Sequence, residues 1–436
     1  MRKITKNIML LTVAVLCCGN LLTAQNTEED TTFVNYEVYK QKVLNYSKEI
    51  MKSSEQKKAM EEAVKYAKTN YLPRIDFSGS AQYRINDYNM ELGGMPFSMP
   101  GETYSLGASL SQIIYNGGAV KNTFRAAKIQ DSIAGHAEAL TLQNISYAAD
   151  LNYWSAVAQK DLYKAMCQYV DIVSSLEDIL KIRYVDGLIA KTDYLQTTAR
   201  LKEAQISKSE AYKSYQVALQ NLNIMMGREP FSATAPVDSI ALKLPDLSYL
   251  GLDQALLKRP DYKISNLQID YQQKQLRLVQ SQFNPQLSIG IQETWGTQML
   301  NFDGSRMFNT IAFASLKVPL FAWGARYKRV NSQKAMINSA DLDRQIALDN
   351  ISKELSNSWT EYQENAKQIK LAWDAIVISQ ENLEINTFSY NEGKLTILDV
   401  LSAQLNWIQA HTKYISTQLM QKVSRSAYLK AVGEIR

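Results

Sequence analysis

Two kinds of periodicity alternate along this chain. From about Phe33 to Asn70, apolar and charged positions follow a helical spacing that stops at Tyr71-Leu72-Pro73. The period then shortens to two: Ile75, Phe77, Ala81, Tyr83 and Ile85 alternate with Asp76, Ser78, Ser80, Gln82 and Arg84. This is the pattern of a strand with one apolar and one polar face. A turn-rich stretch with Gly93-Gly94, Pro96 and Pro100-Gly101 leads to a second run, Tyr104, Leu106, Ala108 and Leu110 against Ser105, Gly107, Ser109 and Ser111. The two runs predict a hairpin of long strands over residues 75–115, ended by Tyr115-Asn116-Gly117-Gly118. Beyond it, Ala119 to about Tyr184 contains no proline and one glycine, Gly135, with Ile133, Ala137, Leu140, Tyr147, Leu151, Trp154 and Ala158 at helical steps. A continuous helix of that span is about 100 Å long, which calls for coiled-coil-like lateral packing rather than a globule.

The order then repeats. A return helix ends at Met226-Gly227, and residues 228–250, with Pro230, Pro236 and Pro245, read as an irregular linker. A helix from about Leu252 to Gln282 meets Asn284-Pro285 as the first met Pro73, with Pro260 near its start. Leu287, Ile289, Ile291 and Trp295 alternate with Ser288, Gly290, Gln292 and Thr294, and Asp303-Gly304 marks a turn. A fourth strand, Ile311 to Phe321, loses its alternation near Ser315 as at a bulge, so the second hairpin spans 287–321. A second long helix reaches Tyr390, and its return ends at Val432-Gly433.

The two bends match. Tyr184-Val-Asp-Gly187-Leu-Ile-Ala-Lys-Thr-Asp193-Tyr-Leu195 and Tyr390-Asn-Glu-Gly393-Lys-Leu-Thr-Ile-Leu-Asp399-Val-Leu401 share Tyr, Gly, Asp and Leu in one frame, 206 positions apart. Gly118 and Gly324, and Gly227 and Gly433, keep the same offset. The chain is read as a duplication: repeats at 25–227 and 251–436, a linker at 228–250, and tips at 184–195 and 390–401. In each bend the glycine reads as a helix C-cap, and Thr192 or Asp193 as the N-cap of the returning helix.

Charge and cysteine exclude several classes. The formal net charge is +5, of which Arg2, Lys3 and Lys6 belong to a basic segment followed by the apolar run Ile8 to Leu16 and by Leu22-Thr-Ala24. Residues 1–24 therefore read as a secretory signal, cleaved before Gln25; a lipoprotein acylated at Cys17 or Cys18 is the competing reading. What remains is nearly neutral with scattered cations, which argues against a nucleic-acid partner. After the leader Cys167 is the single cysteine, so an intrachain disulfide is excluded. His136 and His411 read as helix-surface residues, too few for an ordinary metal site. No nucleophile–base pair or phosphate loop stands out, and Gly117-Gly118 reads as a junction, so neither an enzyme nor a cofactor is expected.

No later run of about 18 apolar residues offers a membrane-spanning helix. Strands with one apolar face and one polar face, in an exported chain, suit a transmembrane barrel; a soluble sheet with one buried face is the plainer alternative. Four strands cannot close a barrel, and open edges are forbidden in lipid. Two copies would give eight strands around a filled interior, and three would give twelve around a channel.

In element order, in the Tyr115-to-Gly118 junction and in the Tyr-x-x-Gly-x-x-x-x-x-Asp-x-Leu tips, the chain resembles the TolC family of outer-membrane efflux ducts. The resemblance covers nearly the whole mature chain. It implies a mainly α fold carrying a transmembrane β-barrel: a homotrimer with a twelve-stranded barrel in outer-membrane lipid and a twelve-helix periplasmic tunnel. The implied partners are a periplasmic adaptor and an inner-membrane pump, expected to be of the RND type. By the same resemblance Gly187, Leu188, Gly393 and Lys394 are the adaptor-docking residues, and Gly117, Gly118 and Gly324 mark strand–helix junctions. A gate would join Tyr390 to Asp193, with Thr192 beside them and Asp399 in an acidic ring. The family's basic latch position is Leu395 here, and the position of a second acidic ring is Ser402. Plain helix capping is the competing role for Asp193 and Asp399.

A structural coiled-coil surface protein would also show long helices, but it needs no set of four strands. The cargo stays open among drugs, metal ions and secreted proteins. Met90, Met95 and Met99 offer soft ligands suited to Cu(I), or simply an apolar loop tip.

Overall fold

The structure, a computed structural model, describes residues 31–83, 85, 89–92, 95–98, 102–297 and 305–435. The leader with Cys17 and Cys18 lies outside these residues, as do Met99 and the turn residues Gly93, Gly94, Pro100, Gly101, Asp303 and Gly304. In chain order the elements are β1 (Thr32–Val34), α1 (Tyr36–Tyr46), α2 (Lys48–Thr69), β2 (Arg74–Tyr83), β3 (Asn89–Leu92), β4 (Met95–Ser98), β5 (Glu102–Asn116), α3 (Ala119–Val185) and α4 (Lys191–Met225). There follow β6 (Thr234–Pro236), α5 (Leu252–Lys258), α6 (Pro260–Ser281), β7 (Gln286–Gly296), β8 (Met307–Lys317), α7 (Ala325–Asn391) and α8 (Ile397–Ala431).

The long helices α3 and α7 have 67 residues each, and their returns α4 and α8 have 35 each. The shorter α2 and α6 match at 22 residues. They stand 212 positions apart rather than 206, because the first strand hairpin is six residues longer than the second. Both α3 and α7 start at a left-handed glycine, Gly118 (φ 86°) and Gly324 (φ 75°).

One antiparallel sheet has the order β2-β5-β7-β8, leaving β2 and β8 as unpaired edges. The helices beside it lie in the matching order α2-α3-α6-α7, so each strand continues into the helix at its own lateral position. Below the level where α2 and α6 begin, the order becomes α4-α3-α8-α7: α4 takes the place of α2, and α8 that of α6. The handovers are tight. A β-carbon on Gly227 would stand 2.3 Å from the Tyr46 ring, and one on Gly433 would stand 3.0 Å from the Lys258 carbonyl carbon. Among the described residues, the four-stranded sheet and a helical layer four helices wide at each level are the two main layers, and both are open laterally.

The register assigns the faces. Ile75, Phe77, Leu106, Leu110, Ile291, Trp295 and Phe308 share one face, and Asp76, Ser78, Ser80, Ser105, Ser109 and Gln292 the other. The fourth strand departs from expectation. β8 ends at Lys317, not Phe321, and pairs with β7 without a bulge. The register shift lies instead in β5, between Ile113 and Tyr115. Unbroken pairing therefore puts Ile311 and Phe313 on the polar face, where Phe313 lies over Gly290. Beyond β8, Leu320, Phe321 and Trp323 are exposed, and Trp323 adopts the left-handed φ (48°) that Gly117 holds in the first repeat.

Three further expectations are corrected. The segment read as one helix from Phe33 to Asn70 is a short strand and two helices. Ser47 ends α1, where its N–H donates to the Val43 carbonyl, and begins α2, where its hydroxyl accepts from Ile50 N–H. The helix read from Leu252 to Gln282 likewise breaks at Arg259, because Pro260 opens α6 and forces extended backbone before it. The linker is not wholly irregular either, since β6 pairs in parallel with β1.

The main core lies at the level of the handover. Trp154 and Tyr153 of α3 are buried against Tyr36 and Tyr39, with Tyr36 stacked 5.5 Å from Trp154. Burying side chains of this size contributes about 1.5–3 kcal/mol each. Several buried polar groups at this level are paired. Buried Asp150 accepts from Tyr36 (2.7 Å), Lys40 (2.8 Å) and Ser426 (2.8 Å). Asp238 of the linker accepts from Tyr153 at 2.5 Å. Lys422 of α8 donates to the Leu242 carbonyl and lies 4.7 Å over Trp154. Burial, with Arg425 nearby, pushes its ammonium down to about 8.

Candidate functional site

The candidate site is the pair of bends where α3 turns into α4 and α7 into α8. Both are built by the same backbone chemistry. At the first, Leu188 N–H reaches back to the Arg183 carbonyl (2.8 Å) and Gly187 N–H to Tyr184 (3.0 Å). At the second, Lys394 N–H donates to Ser389 and Gly393 N–H to Tyr390, both at 2.9 Å. This Schellman closure requires a left-handed residue after the last turn, met by Gly187 (φ 73°) and Gly393 (φ 72°). A β-carbon on either glycine would meet nothing within 4 Å. Leu188 beside the first is 72% exposed. The proposed docking residues thus form open, identically shaped knuckles.

The side chains around the two knuckles differ. In the first, Tyr184 stacks face to face on Tyr194 of α4, with centroids 5.5 Å apart. In the second, Tyr390 is half-buried against a small apolar cluster of Leu176, Leu180, Ile397, Val400 and Leu401. The Arg183 guanidinium lies over its ring, 5.7 Å from the centroid. Arg183 also donates to the Asn391 side chain at 3.2 Å. Burial and the charge of Asp193 raise the Tyr390 phenol above its ordinary range, and Arg183 opposes them. Asp193 is therefore close enough to act on Tyr390 electrostatically, but no hydrogen bond joins the two within the chain. The partner of Tyr390 here is Arg183, which the sequence reading did not single out.

The caps also depart from expectation. α4 begins at Lys191 with Ala190 as its N-cap, so Thr192 and Asp193 fall in its first turn and neither is the cap. Ala190 has no hydroxyl to cap the helix, and no capping box forms with Asp193. In the second bend Thr396 is the N-cap and forms a capping box with Asp399. The Asp399 carboxylate accepts from the Thr396 N–H (2.9 Å) and hydroxyl (2.7 Å). These bonds hold its carboxyl below the usual range, so it remains charged at neutral pH.

The remaining predicted positions are placed as follows. Gly117 (φ 64°) lies under Asn284, whose side chain would be 2.6 Å from a β-carbon there, which ties the first strand–helix junction to the α6–β7 turn. Met90 and Met95 fall in the small β3–β4 hairpin. His411 packs on Trp407, with ring centroids 4.4 Å apart. Among the described residues no group of three or more His, Cys, Asp or Glu is placed to hold a metal ion, and no helix is long and apolar enough to cross a membrane.

A layer of long helices continuous with a four-stranded amphipathic sheet defines an outer-membrane channel fold. The chain belongs to the outer membrane efflux protein family, which it matches over residues 40–228 and 251–434. It is 22% identical over 431 residues to outer membrane efflux protein BepC of Brucella suis biovar 1 (strain 1330), an alignment covering 98% of this chain and 90% of that one. Its fold is that of the Campylobacter jejuni CmeC outer membrane channel, with a TM-score of 0.78 at 18% identity over 92% of this chain and 85% of the other. It also superposes on a membrane protein from Pseudomonas aeruginosa, with a TM-score of 0.81 at 15% identity over 93% and 92% of the two chains. The protein is thus a TolC-like outer-membrane efflux channel rather than an enzyme, with its helical part in the periplasm.

Proposed function

We propose that three copies of this chain form a single duct across the outer membrane and periplasm, closed at rest by the hairpin tips and opened when a periplasmic adaptor engages them. The observation that carries this reading is the pair of open edges. Among the described residues β2 and β8 have no strand on their outer sides, and the helical layer ends in the same way at α2 and α4 on one side and at α7 on the other. Both edges carry exposed apolar side chains, including Ile206, Tyr212 and Val217 on α4 and Leu342, Ile346, Trp373 and Val377 on α7. Lipid excludes unpaired strand edges, and three copies make a twelve-stranded ring wide enough to leave a lumen.

The adaptor docks on Gly187, Leu188, Gly393 and Lys394, where the backbone is exposed and unobstructed. The energised partner is an inner-membrane pump of the RND type, and the cargo passes through without chemical change. The resting tips are held by contacts of the Tyr390 type. An aromatic–cation contact contributes about 0.5–2 kcal/mol, and three copies around one axis act together, so the open form is a minor population until an adaptor binds.

The experiment is single-channel recording of purified protein in planar bilayers. The wild type should conduct weakly, and Tyr390→Ala with Asp193→Ala should raise conductance several-fold. A double variant at the wild-type level would contradict tip gating.

A further inference from the structure

The two tips follow one backbone frame, but only one of them carries a cation at the third residue from the end of its long helix. Arg183 occupies that position in α3; its counterpart 206 positions later in α7 is Ser389. The tyrosines that follow, Tyr184 and Tyr390, are equivalent in sequence and differ in partner. Tyr184 is occupied by Tyr194, whose counterpart in the second repeat is Val400. That leaves the Tyr390 ring without an aromatic partner in its own hairpin, and Arg183 of the other hairpin takes the place.

We propose that Arg183 is the latch of each protomer, holding the second hairpin against the first by stacking on Tyr390 and bonding Asn391. The proposal rests on the tip-gated reading above and names the residue that keeps the tips together. Its stem is anchored, because the Arg183 carbonyl is already bonded to Leu188 N–H in the first bend. Its guanidinium lies beside the last turns of two helices, α3 and α7, whose free carbonyl ends favour a cation. A planar fork suits a position that must cover a ring face and donate to an amide oxygen at once, which a lysine ammonium does less well. Asp193 completes the arrangement. With no capping box at Ala190, its negative charge acts on the Tyr390 phenol in the sense opposite to Arg183. The contact spans 207 positions of sequence and joins the two repeats at the point where an entrance would have to part.

The test is single-channel recording of Arg183→Ala, Arg183→Lys, Tyr390→Ala and the Arg183→Ala/Tyr390→Ala double variant, with oligomer abundance in the outer membrane followed in parallel. The tips lie far from the main core, so abundance should stay at the wild-type level. Arg183→Ala should raise open probability at least ten-fold, and Arg183→Lys should restore part of the closure. The double variant should open far less than the product of the two single effects, because both substitutions remove the same stacking contact. If Arg183→Ala stays closed while Tyr390→Ala opens, or if the two effects multiply, the arginine is not the latch and the tip gate still stands. If neither opens the channel, the tip-gated reading falls and this assignment falls with it.

Discussion

Asp399 is bonded twice to Thr396, at 2.9 Å from its N–H and 2.7 Å from its hydroxyl, whereas Asp193, its counterpart in the first repeat, faces Ala190 and has no such partner. One substitution at the cap position thus gives two equivalent aspartates different work. Asp399 is fixed in place and kept ionised, and Asp193 is left free to act on Tyr390.

The first prediction follows from the fixed carboxylate. In the proposed trimer three Asp399 side chains surround one axis and concentrate cations there. Asp399→Asn should therefore lower the cation-to-anion permeability ratio, read as a reversal potential moving toward zero in a salt gradient. Because its carboxyl is held below the usual range by the Thr396 bonds, the wild-type ratio should persist to lower pH than an ordinary carboxylate would allow before it falls. A ratio unchanged by the substitution would limit Asp399 to its capping role.

The bends give a second prediction. Gly187 and Gly393 need their left-handed backbone, yet a side chain there would point into open space. Gly187→Trp or Gly393→Trp should cost only about 1 kcal/mol of local strain while covering the knuckle. Minimum inhibitory concentrations of exported compounds should drop to the level of a deletion strain, with oligomer abundance on native gels near normal. Full export by both variants would place the adaptor elsewhere.

A third prediction concerns Lys422. Its ammonium is disfavoured by burial, so its pKa in the folded chain falls to about 8 from 10.5. Between these values the unfolded chain binds more protons than the folded one, and stability rises with pH. Below about pH 8 the penalty is fully present. Relative to Lys422→Met, the wild-type thermal midpoint should therefore climb between pH 8 and 10; a constant difference would mean that the burial carries no such penalty.

What the sequence made legible was what repeats over long spans. Strands β2, β5 and β7 keep period two for ten residues or more, and α3 and α7 keep a helical period for 67, so their existence and order could be read directly. The bends were marked by glycines, which take the left-handed backbone there without strain. The register of β8 was not legible, because Ile311 and Phe313 on one face compete with Phe308 and Leu316 on the other, and pairing with β7 decides between them. Nor was the pairing of β1 with β6, three residues each and 202 positions apart. Arg183 was missed for a similar reason, since its partner lies in the other repeat. A signal was present all the same: with the two tips aligned in one frame, Arg183 against Ser389, Ala190 against Thr396 and Tyr194 against Val400 are among the positions where chemistry changes while the backbone does not.

The central claim is that the open edges of sheet and helical layer close on two further copies of the same chain. Native mass spectrometry of the mature protein, extracted from outer membranes in mild detergent, tests this most directly. One dominant species of three chains that survives dilution is expected; a stable monomer or dimer would contradict the trimer.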